Sequence, residues 1–140
     1  LNEEEPNNWR NFVKVRRILG VSAGAVALAL SLSTNAFAAD YSVQTDDGDP
    51  GGKLSFVSDG DIMTVKDQEA DGWGVKAWVW IDGNLQYTLQ AGGNGNTDTA
   101  RASDGGSHNL PEGKTLKVRV CLHKENEDAY CDDASGWQTA

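Results

Sequence analysis

Beyond residue 52 the chain alternates apolar and polar residues with period two. Leu54 and Phe56 interleave with Lys53 and Ser55, and Met63 and Val65 with Ile62, Thr64 and Lys66, on either side of Asp59-Gly60. Strands Lys53–Ser58 and Asp61–Lys66 are therefore predicted. A type I′ turn at Asp59-Gly60 is expected between them, since both of its central residues take φ > 0. Pairing Ser58 with Asp61 sets Phe56 opposite Met63 and Leu54 opposite Val65, all four on one face. Further strands are read at Val75–Ile81, Leu85–Gln90, Thr99–Ala102, Thr115–Lys124 and Trp137–Ala140. The clearest is Thr115–Lys124, where Leu116, Val118, Val120 and Leu122 alternate with Lys117, Arg119, Cys121 and His123. No helical stripe competes with this pattern in residues 39–140. The fold expected is all-β: a small single-domain antiparallel β-sandwich, or a small barrel, of six or seven strands.

Val75–Ile81 raises a question of faces. Trp78 and Trp80 share one side, and Val75, Ala77, Val79 and Ile81 share the other. A two-residue loop after Asp82 would pair the tryptophan side with Leu85, Tyr87 and Leu89, making the indoles core. A three-residue loop, Asp82-Gly83-Asn84, would instead leave Lys76, Trp78, Trp80 and Asp82 beside Gln86, Thr88 and Gln90 on a wet face. The second register is preferred, because burying Lys76 or Asp82 unpaired would cost several kcal/mol. Two indoles on a flat exposed strand make an apolar platform suited to sugar rings or a protein surface. Trp73 and Trp137, beside glycines, are read as packing plugs.

The amino-terminal third has a different grammar. Lys14, Arg16 and Arg17 precede 15 uncharged residues, Ile18–Leu32, and then Ala36-Phe37-Ala38. A basic start, an apolar run and an A-x-A site predict a secretory signal peptide over residues 13–38, cleaved between Ala38 and Ala39. The run is shorter than the ~20 residues of a membrane span. Residues 1–12 carry Glu3, Glu4 and Glu5 where positive charge is expected, and are read as lying upstream of the true start. Residues 39–52 are read as a flexible acidic leader and 53–140 as the β domain.

The full chain has 140 residues and a net charge of −9, and residues 39–140 alone carry 8 Lys+Arg against 18 Asp+Glu. That balance argues against nucleic acid, which needs clustered cations, and against anionic membrane. Cys121 and Cys131 are the only cysteines. In an oxidising, exported setting they predict a disulfide, stabilising by about 2.5–3 kcal/mol through loop closure. Secretion into the extracellular space as a monomer is expected.

Chemistry-bearing motifs are sparse. An EF-hand loop beginning at Asp47 would need Glu at its twelfth position, where Ser58 stands. Gly92–Asp98 resembles one calcium β-roll repeat with its Asp one residue late, in a single copy. No cofactor is expected, with calcium as a minor alternative. Ser107-His108 is no triad, because triad partners meet in space rather than as neighbours. No carboxylate pair stands out for glycoside cleavage. The chain is therefore not expected to be an enzyme.

Val65–Ala77 (VKDQEADGWGVKA), Pro111-Glu112-Gly113 leading into Lys117–Cys121 (KVRVC), and Cys131 followed by Ser135-Gly136-Trp137 resemble a group of small actinobacterial exported proteins. The resemblance spans most of residues 39–140 and implies export and a compact disulfide-bearing β fold, with no activity attached. The group often carries Cys just before the Asp of its D-x-x-A-D-G segment; here Lys66 stands there, leaving one disulfide. The functional expectation is a secreted non-catalytic module, binding an extracellular glycan or protein through Trp78 and Trp80 with Lys76, Asp82, Gln86 and Thr88. The alternatives are an inhibitor of an extracellular hydrolase, inserting Asn94–His108 or Glu125–Tyr130, and a calcium-stabilised structural protein.

Overall fold

The structure, a computed structural model, describes residues 39–140. Residues 1–38, with the start site, the signal peptide and Ala38, lie outside the described residues. Eight strands are formed: β1 (Asp40–Gln44), β2 (Gly52–Val57), β3 (Ile62–Asp67), β4 (Gly74–Ile81), β5 (Asn84–Gly92), β6 (Thr97–Ala100), β7 (Thr115–Lys124) and β8 (Glu127–Gln138). They make two antiparallel four-stranded sheets, ordered β1-β2-β3-β6 and β5-β4-β7-β8. The described residues contain no α-helix, only two short 3₁₀ turns at Ala102–Asp104 and Gly106–His108.

The all-β expectation holds, with two corrections to the strand inventory. Asp40–Gln44, read from its composition as part of a flexible leader, is strand β1 on the edge of the first sheet. Its apolar alternation is only Tyr41 and Val43, too brief to register beside the Asp/Gly/Pro run that follows. Packing holds it: Val43 and Thr45 are buried, and the Tyr41 ring stacks 5.3 Å from that of Trp137. The final strand is also far longer than Trp137–Ala140, running twelve residues alongside β7. Eight strands, not six or seven, are the result.

One hydrophobic core takes residues from both sheets: Leu54, Phe56, Met63 and Val65 from the first, and Val75, Ala77, Val79, Val118 and Val120 from the second. Each large apolar side chain so buried is worth about 1.5–3 kcal/mol. Trp137 is core, as read, and stacks against Phe56 as well as Tyr41, joining β8 to the opposite sheet. Trp73 is half-buried and packs on the core's margin.

The β2–β3 register is as read, with Phe56 opposite Met63 and Leu54 opposite Val65. Its turn is not. The strands end at Val57 and Ile62, and positive φ falls on Gly60 (84°) and Asp61 (51°) rather than on Asp59 and Gly60. Asp61 is drawn out of the ladder by a long-range bond. Its buried carboxylate accepts the Leu110 N–H at 2.8 Å and pins the segment after β6 to this turn.

Candidate functional site

In the second sheet β4 is central, flanked by β5 and β7, so its two faces have different fates. Val75, Ala77, Val79 and Ile81 point inward and are buried, while Lys76, Trp78 and Trp80 point outward and are half-buried. The connection to β5 is neither loop considered from sequence. Asp82 (φ 51°) and Gly83 (φ 79°) form a two-residue turn pairing Ile81 with Asn84, and a bulge between Trp80 and Val79 then shifts the register. An extra residue, Gln86, is absorbed there. Beyond the bulge Val79 faces Tyr87 and Ala77 faces Leu89, so the inner face is the one expected. Leu85 is the exception: expected in the core, it lies opposite Trp80 and is 51% exposed.

Pairing with β7 brings further side chains to the outer face. Arg119 lies opposite Trp78, Lys117 opposite Trp80, and Cys121 opposite Lys76. The Lys76 ammonium stands 4.9 Å from the Trp78 ring centre, and that of Lys117 stands 5.8 Å from the Trp80 ring. Such cation–π contacts are worth about 0.5–1 kcal/mol at exposed sites. They also let each lysine lay its apolar stem on an indole while keeping its charge wet.

β8 closes the far side. Arg119 donates two hydrogen bonds to Asp133, from Nε at 2.6 Å and Nη2 at 2.9 Å. The Asp133 carboxyl is held below the usual aspartate range by this bond, and the Arg119 guanidinium is held above its own ordinary value by the same partner. His123 Nδ1 lies 2.6 Å from Asp128 Oδ1. The Cys121–Cys131 disulfide, expected from sequence, joins β7 to β8 where their ladder is irregular. A cleft of about 250 Å³ opens between β4 and this staple, lined by Trp78, Trp80, Arg119, Cys121, Asp128 and Cys131.

Of the residues singled out from sequence, the fold gathers Lys76, Trp78, Trp80 and Thr88 on this face, Thr88 opposite Trp78. Gln86 is in the bulge, its Nε2 donating to the Asn84 carbonyl at 2.9 Å. Asp82 is not beside the indoles: it sits in the hairpin turn and accepts from Lys114 Nζ at 3.1 Å. Ala39, at the expected cleavage point, donates its N–H to Ser58 Oγ at 2.9 Å. Lys117, Arg119, Asp128, Asp133 and Leu85 are additions. The off-core alternation of β7 marked Lys117 and Arg119 as outward, but nothing in the sequence paired β7 with β4.

The other expectations meet plain outcomes. Glu127–Tyr130, offered as part of an inserting loop, is the first stretch of β8. Asp47 serves its own loop, its Oδ1 accepting from Thr45 Oγ1 at 2.7 Å and its Oδ2 from the Gly51 N–H at 2.9 Å. Among the described residues no group of three or more His, Cys, Asp or Glu is arranged to hold a metal ion. His108 packs edge-on against Tyr87, with ring centres 4.7 Å apart. No described helix is long and apolar enough to cross a membrane. Comparison with family models, curated proteins and solved structures finds no match, so the functional reading rests on this geometry.

Proposed function

We propose that this chain is an exported, non-catalytic binding module, a stapled β-sandwich that holds an extracellular glycan against the outer face of the β5-β4-β7-β8 sheet. One observation carries the reading: Trp78 and Trp80 stay half-buried on the outward side of one strand, whose opposite face is fully committed to the core. Exposed Leu85 extends the same apolar surface. Indole faces stack on the C–H faces of sugar rings, and an apolar patch rimmed by polar groups marks a binding surface rather than a packing accident. The staple between β7 and β8 supports the reading twice over, by its fit to an oxidising compartment and by stiffening one wall of the cleft.

The test is retention of the full chain on insoluble polysaccharides such as cellulose, chitin and cross-linked pectate. Retention on at least one of them, abolished in Trp78→Ala/Trp80→Ala, is the expected result. Retention on none, or retention indifferent to the double substitution, contradicts the reading.

A further inference from the structure

The charges around the two indoles specify the ligand further, on the premise that the outer face is the glycan site. Residues 39–140 hold only 8 lysines and arginines among 18 acids. Even so, three of the eight, Lys76, Lys117 and Arg119, cluster on the tryptophan face of β4 and β7. Ion pairs are sparse in this molecule: among the described residues only Lys114, Lys117 and Arg119 of the eight have a carboxylate within reach. Of the acids on the face, Asp133 is held by the two-pronged Arg119 bond, and Asp128, which lines the cleft, has its Oδ1 2.6 Å from His123 Nδ1. Lys117 has only a loose contact with Asp133 at 3.9 Å, and Lys76 makes no salt bridge among the described residues. Both ammonium groups hang instead over the indoles, where the substituents of a stacked sugar ring would lie.

We infer that the face selects an anionic sugar polymer, its ring stacked on Trp78 or Trp80 and its carboxylate or sulfate group meeting Lys76 and Lys117. A neutral sugar would have to displace the ammonium groups from the rings and offer them only hydroxyls. An anionic one replaces each cation–π contact with a charge-assisted hydrogen bond, the stronger of the two. The cleft of about 250 Å³ lies below the ~300–1,000 Å³ of pockets that enclose a drug-sized ligand, so one ring of a polymer lying along the sheet is the natural fit. The acidity of the rest of the domain does not forbid this. At physiological ionic strength, charges farther than about 8 Å away are largely screened, and those in contact decide.

Affinity electrophoresis of the full chain tests it, in native gels containing polygalacturonate (carboxylate), dextran sulfate (sulfate) or neutral hydroxyethylcellulose. Four proteins are compared: wild type, Lys76→Met/Lys117→Met, Trp78→Ala/Trp80→Ala and, as a control, Lys53→Met/Lys66→Met. The control removes the same net charge from a facing lysine pair on β2 and β3, in the other sheet. Retardation is expected in at least one anionic gel and not in the neutral one. Losing two charge-assisted contacts should weaken it at least about tenfold in Lys76→Met/Lys117→Met. The tryptophan variant should lose it too, and the control should match wild type. Equal retardation in neutral gel with no effect of Lys76→Met/Lys117→Met overturns the anionic selectivity and leaves the glycan platform standing. A loss in the control as large as in the face variant also overturns the selectivity, because net charge alone would then explain it. No retardation in any gel overturns the anionic selectivity and leaves the platform to the insoluble-polysaccharide test, whereas retardation unchanged in the tryptophan variant overturns both.

Discussion

Two aspartates in this molecule have their pKa values moved in opposite directions, for reasons visible at the single residue. Asp133 is bound by Arg119, which lowers its pKa below the ordinary 3.8; its stabilising contribution is present above that value and is lost as pH falls below it. Asp61 is raised above 3.8, chiefly by burial, the Leu110 N–H working the other way and Glu112 adding repulsion. Its contribution is full below 3.8 and is lost as pH climbs through the raised value. Urea unfolding of Asp133→Asn should therefore show a deficit near neutrality that closes in acid, small because exposed pairs contribute under about 1 kcal/mol. Asp61→Asn should gain on wild type as pH rises from 3 to 6. Parallel pH profiles for all three proteins would contradict both assignments. The buried Tyr87 hydroxyl is unpaired: it makes no hydrogen bond, and burial, with Asp61 nearby, pushes its pKa up. Leaving such a group unsatisfied costs about 1–3 kcal/mol, so Tyr87→Phe should match or exceed wild type in urea midpoint. A midpoint clearly below wild type would show that the hydroxyl has a partner.

Among the elements, the β4–β5 hairpin shows what a sequence can and cannot convey. Which residues go inside was legible, because burying the face of Trp78 and Trp80 would bury Lys76 with it, at a cost. The turn was not, because loop length dictates register only in an unbulged ladder. The two-residue turn at Asp82-Gly83 alone would have set a register through Tyr87 that the extra residue Gln86 then changes. Leu85, on the turn side of that bulge, is the residue left outside. β1 was illegible for a related reason: its Tyr41 stacks on Trp137, nearly a hundred positions later, and no local pattern encodes that stack. The β7–β8 ribbon carries the element-scale prediction. Its disulfide closes a loop of ten positions, so Cys121→Ala/Cys131→Ala should cost about 2.5–3 kcal/mol on the chain-entropy model. A loss under about 1 kcal/mol would mean that the β7–β8 pairing alone already restrains the unfolded chain.

Across the whole molecule, strand order converts a modest sequence signal into a site. Trp78 and Trp80 were visible as a pair, and Lys117, Arg119 and Cys121 as the polar half of another strand; only the order β5-β4-β7-β8 sets them side by side. Strand order depends on how two sheets bury a common core, which the sequence of any one strand does not record. The central claim is that these side chains form an accessible face which a ligand covers. Hydroxyl-radical footprinting read by peptide mass spectrometry, on the full chain with and without polygalacturonate or dextran sulfate, tests it residue by residue. Trp78, Trp80 and Leu85 should be oxidised in the free protein and protected when an anionic polymer is present, with Trp137 protected throughout. Trp78 and Trp80 as resistant as Trp137 in the free protein, or equally reactive with and without both polymers, would contradict the account.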